Sequence, residues 1–448
     1  MGDVVLTELN VGAVQPICTA DLVRNSEEDG GGLKFRFHRG GKGTAPGSFK
    51  SLKSAFLPEG YPNSVSADYL QFQIWDTLQG LSTYIRSMLS TQALLGAIGV
   101  GETKATVVGA TFQWFLRDFT GMLGGILFTL IQGSNLDSNA KQWRLAADLL
   151  NDMGMLMDLL SPLFPGSFLP ILCIGSIARS ITGVASGATR AALTQHFALR
   201  QNAADVSAKE GSQETAATMV GMLFGMAVAR ITAGNDVAMW TSFLALTFFH
   251  MYANYRAVRS LCLTSLNSNR TWLLLEGFTS RKRVPTPQEV SSMENVLPHP
   301  SSLLPFKLSR SQTRWSISLG SRISFIKPQA GWESLSRMLI QRYGRDTYMV
   351  AIDGTTIHII LHQNATAEDC LRGYVHALYL RAVLERSENV GFVGSTDAAE
   401  IESLTWMTTT YKLFLKLVQT SGWVTNRVYI SPGEWRADWP RETSKSSS

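Results

Sequence analysis

Between Phe119 and Tyr255 the chain carries long stretches without charge, and such stretches leave few ways to fold. Residues 119–136 (FTGMLGGILFTLIQGSNL), 159–178 (LLSPLFPGSFLPILCIGSIA) and 215–229 (TAATMVGMLFGMAVA) hold no charged side chain. Residues 237–255 (VAMWTSFLALTFFHMYANY) hold one histidine and no formal charge. They belong either in lipid or in a buried helical core. A bilayer span takes about 20 apolar residues, and 159–178 and 237–255 come nearest that length. Pro162, Pro165 and Pro170 prevent 159–178 from forming one regular helix. Gly-x-x-x-Gly occurs at Gly121/Gly125, Gly183/Gly187 and Gly221/Gly225. Small residues four apart give a helix a flat stripe on which a second helix packs closely. The repetition in apolar context favours membrane helices over the alternative, a soluble helical core.

The remainder of the chain is ordinary. Apolar residues make up 45% and charged residues 17% of the 448, against about 25% charged in a typical soluble domain. Mean hydropathy is +0.04, too apolar for disorder and too polar for membrane spans alone. The composition therefore predicts one apolar domain joined to a water-soluble one. Cys18, Cys173, Cys262 and Cys370 lie far apart with no C-x-x-C pair, so reduced thiols are expected and neither a disulfide framework nor a metal site. The acidic N-terminus lacks a charged segment followed by an apolar core, and no cleavable signal is expected.

The predicted fold class is mainly α: a Gly-rich, membrane-embedded helical domain followed by a small α+β domain. Residues 1–50 read as a weakly ordered segment, with turn-rich EEDGGG and HRGGKGTAPGS. Residues 51–275 form the helical domain, opening with a helix from Asp68 capped by Ser66. Residues 276–330 read as a Pro/Ser-rich basic linker, with Arg281, Lys282, Arg283, Lys307, Arg310, Arg314, Arg322 and Lys327 against Glu289 and Glu294. Cations beside the last apolar run favour the cytoplasmic side. Residues 331–448 form the α+β domain. There Asp353-Gly354 predicts a hairpin, two helices follow, VTNRVYIS returns as a strand, and His358 and His362 fall on an exposed strand face.

Candidate chemistry concentrates in the polar blocks. In KQWRLAADLLNDMGMLMDLL, Arg144, Asp148 and Asp152 stand at i, i+4 and i+8 on one helix face. Arg144 can pair with Asp148, whereas Asp148 and Asp152 are like charges that require a cation from elsewhere. The stretch ASGATRAALTQHFALRQNAADVSAKEGSQET (185–215) sits between apolar runs and carries Arg190, Asp205, Lys209 and Glu210; Arg179 precedes it. It reads either as a solvent-facing loop or as the lining of a polar pocket. The interleaved Ala and Gly favour the pocket, with a helix break expected at Gly211. Charges held among membrane helices face a cavity, pair with one another or mark a transport path. Polar faces of amphipathic helices are the simpler alternative. GAIGVGETKAT (96–106) departs from a phosphate loop, because Glu102 follows Gly101 and Ala105 follows Lys104. HMYANYRAVRSL, with Tyr252, Tyr255, Arg256 and Arg259, has the composition of a membrane interface.

Four blocks, GYPNSVSADYLQFQIWDTLQGL, NAKQWRLAADLLNDMGM, GATRAALTQHFALRQNAADVSAKEGSQET and HMYANYRAVRSL, resemble the root UV-B sensitive (RUS) family over roughly residues 52–275. The resemblance implies membrane association and links to UV-B response, vitamin B6 homeostasis and auxin transport. It implies no catalytic residues. The chain starts without the transit-like extension of plastid members, so plastid targeting is not expected.

The expected protein is a non-enzymatic multi-pass membrane protein that handles or scaffolds a small molecule or partner. Arg144, Asp148, Asp152, Arg179, Arg190, Asp205, Lys209 and Glu210 are its candidate functional surface. The expected partners are the lipid bilayer and a second copy or another RUS family protein, with no nucleic acid. The residues specify no cofactor and no membrane compartment. Two alternatives stand beside this reading. One is a soluble or peripheral interaction protein with a helical core. The other is an enzyme of cofactor metabolism, with Lys209 and Lys104 the lysines available for a Schiff base.

Overall fold

The computed structural model describes residues 4–8, 18–24, 33–39, 54–97, 107–133, 136–297, 314–327, 331–389, 396–430 and 433–439. The segment expected to be weakly ordered carries three strands, β1 (Val4–Glu8), β2 (Cys18–Arg24) and β3 (Leu33–Arg39), paired antiparallel in that order.

Six long helices follow: α1 (Tyr69–Ala97), α2 (Val107–Gln132), α3 (Ala140–Leu160), α4 (Phe168–Phe197), α5 (Ala203–Thr232) and α6 (Asp236–Ser260). The Phe72 N–H donates to the Asp68 carbonyl, so Asp68 rather than Ser66 occupies the cap of α1. The prolines interrupt 159–178 as expected. Two short 3₁₀ turns, Ser161–Leu163 and Pro165–Ser167, separate α3 from α4. The residues between α4 and α5 make a tight link, with Gln201 at φ 55°. Gly234 at φ 77° turns the chain into α6, where the Asn235 side chain accepts from the Ala238 N–H. The break expected at Gly211 does not occur; α5 passes through it. One glycine in a helix interior costs only about 1 kcal/mol, too little to end a thirty-residue helix.

The order of contacts sets the helix directions: Gly221 and Gly225 of α5 meet Tyr84 and Met88 of α1 in the same sense, and Arg179 and Thr182 of α4 meet Asp158 and Ala147 of α3 in the opposite sense. Helices α1, α3 and α5 therefore point one way and α2, α4 and α6 the other. Two of the glycine motifs do pack helices. A Cβ on Gly121 or Gly125 would lie 2.3 and 2.4 Å from the Ser176 and Ser180 hydroxyls of α4, and one on Gly221 or Gly225 would lie 2.7 Å from Tyr84 and Met88 of α1.

The C-terminal domain begins at β4 (Ser265–Asn267), α7 (Ser268–Arg281) and α8 (Pro287–Met293). It continues through β5 (Ser316–Leu319), α9 (Trp332–Tyr343), β6 (Tyr348–Asp353), β7 (Thr356–Leu361), α10 (Ala367–Asn389), α11 (Thr396–Thr409), α12 (Tyr411–Thr420) and β8 (Val424–Tyr429). The hairpin predicted at Asp353-Gly354 forms, with Asp353 opposite Thr356 and Gly354 at φ 56°. β5 adds parallel to β7, and β8 pairs with β4 in a separate two-stranded sheet. The basic linker is not a bare connection. Val284, Val290, Trp315, Leu319 and Ile326 from it are buried in the domain core with Leu274, Phe278, Ile359 and Val375. The two strand histidines are not exposed either. His362 is 3% exposed and stacks edge-on to Trp439, and His358 is half-buried against the Ser321 hydroxyl.

The two domains are built around different cores. The C-terminal domain has a large continuous apolar core. The helical bundle buries Arg86, Asp148, Asp152, His250 and Asn254, and turns Phe112, Met122, Leu130, Leu223, Ile231 and Phe248 outward.

Candidate functional site

A cavity of about 340 Å³ lies between α1, α3, α4 and α5, in the half of the bundle nearer the C-terminal domain. Helical periodicity builds its walls. Gln73, Asp76 and Gln79 on α1, and Arg144, Asp148 and Asn151 on α3, recur at three- and four-residue spacing and so share one face of each helix. The third glycine motif serves this space. A Cβ on Gly183 or Gly187 meets nothing within 4 Å, and both glycines line the cavity. The helix-packing expectation is corrected there: these glycines keep volume open.

The cavity wall is ionic. An Arg144 Nη donates to Asp76 at 2.5 Å, while its Nε stands 4.0 Å from Asp148. Asp148 accepts from the Asn254 amide at 2.7 Å. Arg190 pairs with Glu214 at 2.6 Å across α4 and α5. Glu210 accepts from Gln73 at 2.8 Å and from the Thr194 hydroxyl at 3.3 Å.

Beneath the cavity runs a buried chain of polar groups. Gln79 meets His250 Nε2 at 2.8 Å, His250 Nδ1 meets Asp152 at 3.0 Å, and Asp152 accepts from Arg86 at 2.6 Å. Arg86 also donates to the Thr247 hydroxyl at 3.2 Å. Past this chain, toward the far end, Leu89, Met155, Leu159 and Phe243 close the bundle with apolar packing.

The eight candidate residues separate into three groups. Arg144, Asp148, Arg190 and Glu210 line the cavity. Asp152 lies beneath it in the buried chain. Arg179, Asp205 and Lys209 lie elsewhere: Arg179 pairs with Asp158 at 2.5 Å, and Lys209 stands 3.6 Å from Asp205, which also accepts the Glu59 N–H. The stretch 185–215 is not a loop but the end of α4, the turn and the start of α5. Sequence reasoning passed over Arg86 and His250. The cation required beside Asp148 and Asp152 is Arg86, contributed by α1. Its signal was a polar stripe, Gln79, Ser82, Arg86 and Ser90, at helical spacing. For His250 it was a lone ionisable group inside an uncharged run.

Two clamps hold the cavity end in place. Asp68 accepts from His196 at 2.9 Å, the Cys262 N–H at 2.7 Å and the Ser66 hydroxyl at 2.5 Å, tying the start of α1 to the ends of α4 and α6. Burial opposes the charge on Asp68, but these donors outweigh it and hold the pKa at about 2. Glu294 pairs with Lys141 at 2.8 Å and Arg270 at 2.9 Å, joining α3 to the C-terminal domain. Burial works against the Glu294 carboxylate too, and Arg270 and Lys141 prevail, leaving its pKa lowered. His376 in the C-terminal core is of another kind. Burial, then Arg372, pulls its pKa to about 3, and it bridges Tyr348 and Ser403 as a neutral ring.

Among the described residues no group of His, Cys, Asp and Glu is arranged to hold a metal ion. A pyridoxal aldimine needs an unpaired lysine in the cavity, and no lysine lines it. Lys209 is beside Asp205, and Lys104 falls outside the described residues. The cavity residues therefore do not fit an aldimine-forming group.

Comparison with known proteins agrees with the blocks noted in the sequence. A family profile described as the vitamin B6 photo-protection and homoeostasis domain matches residues 44–282. One described as root UVB sensitive protein, C-terminal, matches residues 283–439. Protein root UVB sensitive 3 of Arabidopsis thaliana is 54% identical over 396 residues, 88% of each chain. RUS family member 1 of Dictyostelium discoideum is 43% identical over 300 residues, 66% of this chain and 55% of its own. Protein root UVB sensitive 2, chloroplastic, of Arabidopsis thaliana is 29% identical over 387 residues, 86% of this chain and 84% of its own. No solved structure matches.

Proposed function

Because the chain belongs to the root UVB sensitive family, we propose that its helical domain sits in a membrane and binds a small polar molecule of the vitamin B6 class in the cavity between α1, α3, α4 and α5. The domain holds or moves that molecule without changing it chemically. The observation that carries this reading is the combination of exposed apolar faces and buried ionisable groups in the bundle. Leu130, Ile231 and Phe248 are 77, 81 and 76% exposed, while Arg86 and His250 are 0% exposed. In water that arrangement wastes apolar surface; in lipid it is the arrangement expected, with ionisable groups turned inward.

Three helices, Thr111–Gln132, Pro165–Phe197 and Ala203–Thr232, are long and apolar enough to cross a bilayer. The other bundle helices supply Arg86, Asp148, Asp152 and His250 to the interior. Arg200, Arg256 and Arg259 stand at the end bearing the C-terminal domain, and Arg256 lies over Trp75 and Tyr252. Aromatic rings and cations together suit a membrane–water interface, and arginines there favour the cytosolic side. The cavity then opens toward the cytosol and the apolar plug faces the other side.

The test is equilibrium binding of pyridoxine to the full chain purified in lipid nanodiscs. Saturable binding is expected, lost when Gly187→Leu fills the cavity. Unchanged binding by Gly187→Leu would contradict the site.

A further inference from the structure

Charge around the cavity is unevenly settled. Five carboxylates, Asp76, Asp148, Asp152, Glu210 and Glu214, stand around or beneath it with three guanidinium groups, Arg86, Arg144 and Arg190. Asp76, Asp152 and Glu214 each hold a guanidinium at 2.5, 2.6 and 2.6 Å. Asp148 and Glu210 hold none so close. Their partners are amides and a hydroxyl, apart from the Arg144 Nε 4.0 Å from Asp148. They come from α3 and α5, and both are more than nine-tenths buried. The open space beside Gly183 and Gly187 adjoins them. Buried carboxylates without a cation of their own are costly, and a cationic ligand relieves that cost. An anionic ligand would add to the excess.

We propose that the cavity selects a small organic ammonium ion, held between Asp148 and Glu210. This rests on the cavity being the ligand site.

The experiment compares pyridoxamine with pyridoxine, which differ by an amine in place of a hydroxyl. Binding of each to the full chain in nanodiscs is measured at neutral pH. Pyridoxamine should bind at least about tenfold tighter than pyridoxine. Equal or tighter binding of pyridoxine overturns the cation preference and leaves the cavity standing. Failure of both vitamers to bind overturns the cavity reading itself.

Discussion

Arg86 and Asp152 form an ion pair at 2.6 Å in which the arginine side chain is 0% and the carboxylate 5% exposed. Such a pair is worth little as a net stabiliser, yet removing one partner leaves an uncompensated charge and costs about 3–5 kcal/mol. Asp152→Asn alone should therefore lower the melting temperature and the abundance of the protein. Arg86→Met together with Asp152→Leu should recover most of the loss. Thermal unfolding in nanodiscs would measure this; equal losses in the single and double variants would show the pair to be unimportant.

Asp148 is a different case. Its nearest partner is the neutral Asn254 amide, and Arg144, 4.0 Å away, keeps Asp76 at 2.5 Å, so Asp148→Asn removes charge without stranding a cation. Ligand affinity should fall by about tenfold or more while abundance and melting temperature stay near wild type. A large fall in melting temperature would mean that Asp148 serves the fold rather than the ligand.

The glycines offer a contrast within one motif class. Gly225→Val drives a side chain into Met88 and Ile85 of α1, and overpacking of that kind costs about 1–3 kcal/mol. Gly183→Val enters open space and should leave stability unchanged while reducing ligand binding. Thermal shift and binding measured on the same two variants separate the effects, and identical behaviour would remove the distinction drawn between packing and cavity glycines.

Asp68 gives the bundle a pH dependence of known sign. Its folded pKa of about 2 lies below the ordinary 3.8, so the carboxylate contributes stability that is complete above about pH 4 and is lost as pH falls toward 2. The shift corresponds to about 2 kcal/mol. Asp68→Asn should lower stability at neutral pH by about that amount and reduce the acid sensitivity in this window. Melting curves at several pH values test it; an Asn variant as acid-sensitive as wild type would contradict the assignment.

The apolar runs, the proline break, the glycine stripes and the hairpin at Gly354 could be read in advance because each is a local property of the chain. The placement of Arg144 and Asp148 on one helix face was equally local. What periodicity could not supply was the partner across space. Nothing near Asp152 in sequence points to Arg86, sixty-six residues earlier, or to His250, ninety-eight later. The same limit explains Gly183 and Gly187. Their spacing matches that of Gly121 and Gly125, and only the position of the neighbouring helices decides whether a glycine admits a helix or a ligand. The folded ends of the basic linker were masked by composition, since a few apolar residues such as Val284, Val290 and Trp315 anchor a stretch that otherwise looks solvated.

The most direct measurement is alkaline carbonate extraction of membranes from cells expressing the full chain with a C-terminal tag, paired with protease treatment of the intact membranes. The chain should remain in the pellet with the tag cleaved by protease added on the cytosolic side, placing the helical bundle in lipid and the C-terminal domain in the cytosol. Release of the chain into the supernatant would contradict the membrane-embedded bundle, and the outward apolar faces of α2, α5 and α6 would then have to be covered by protein.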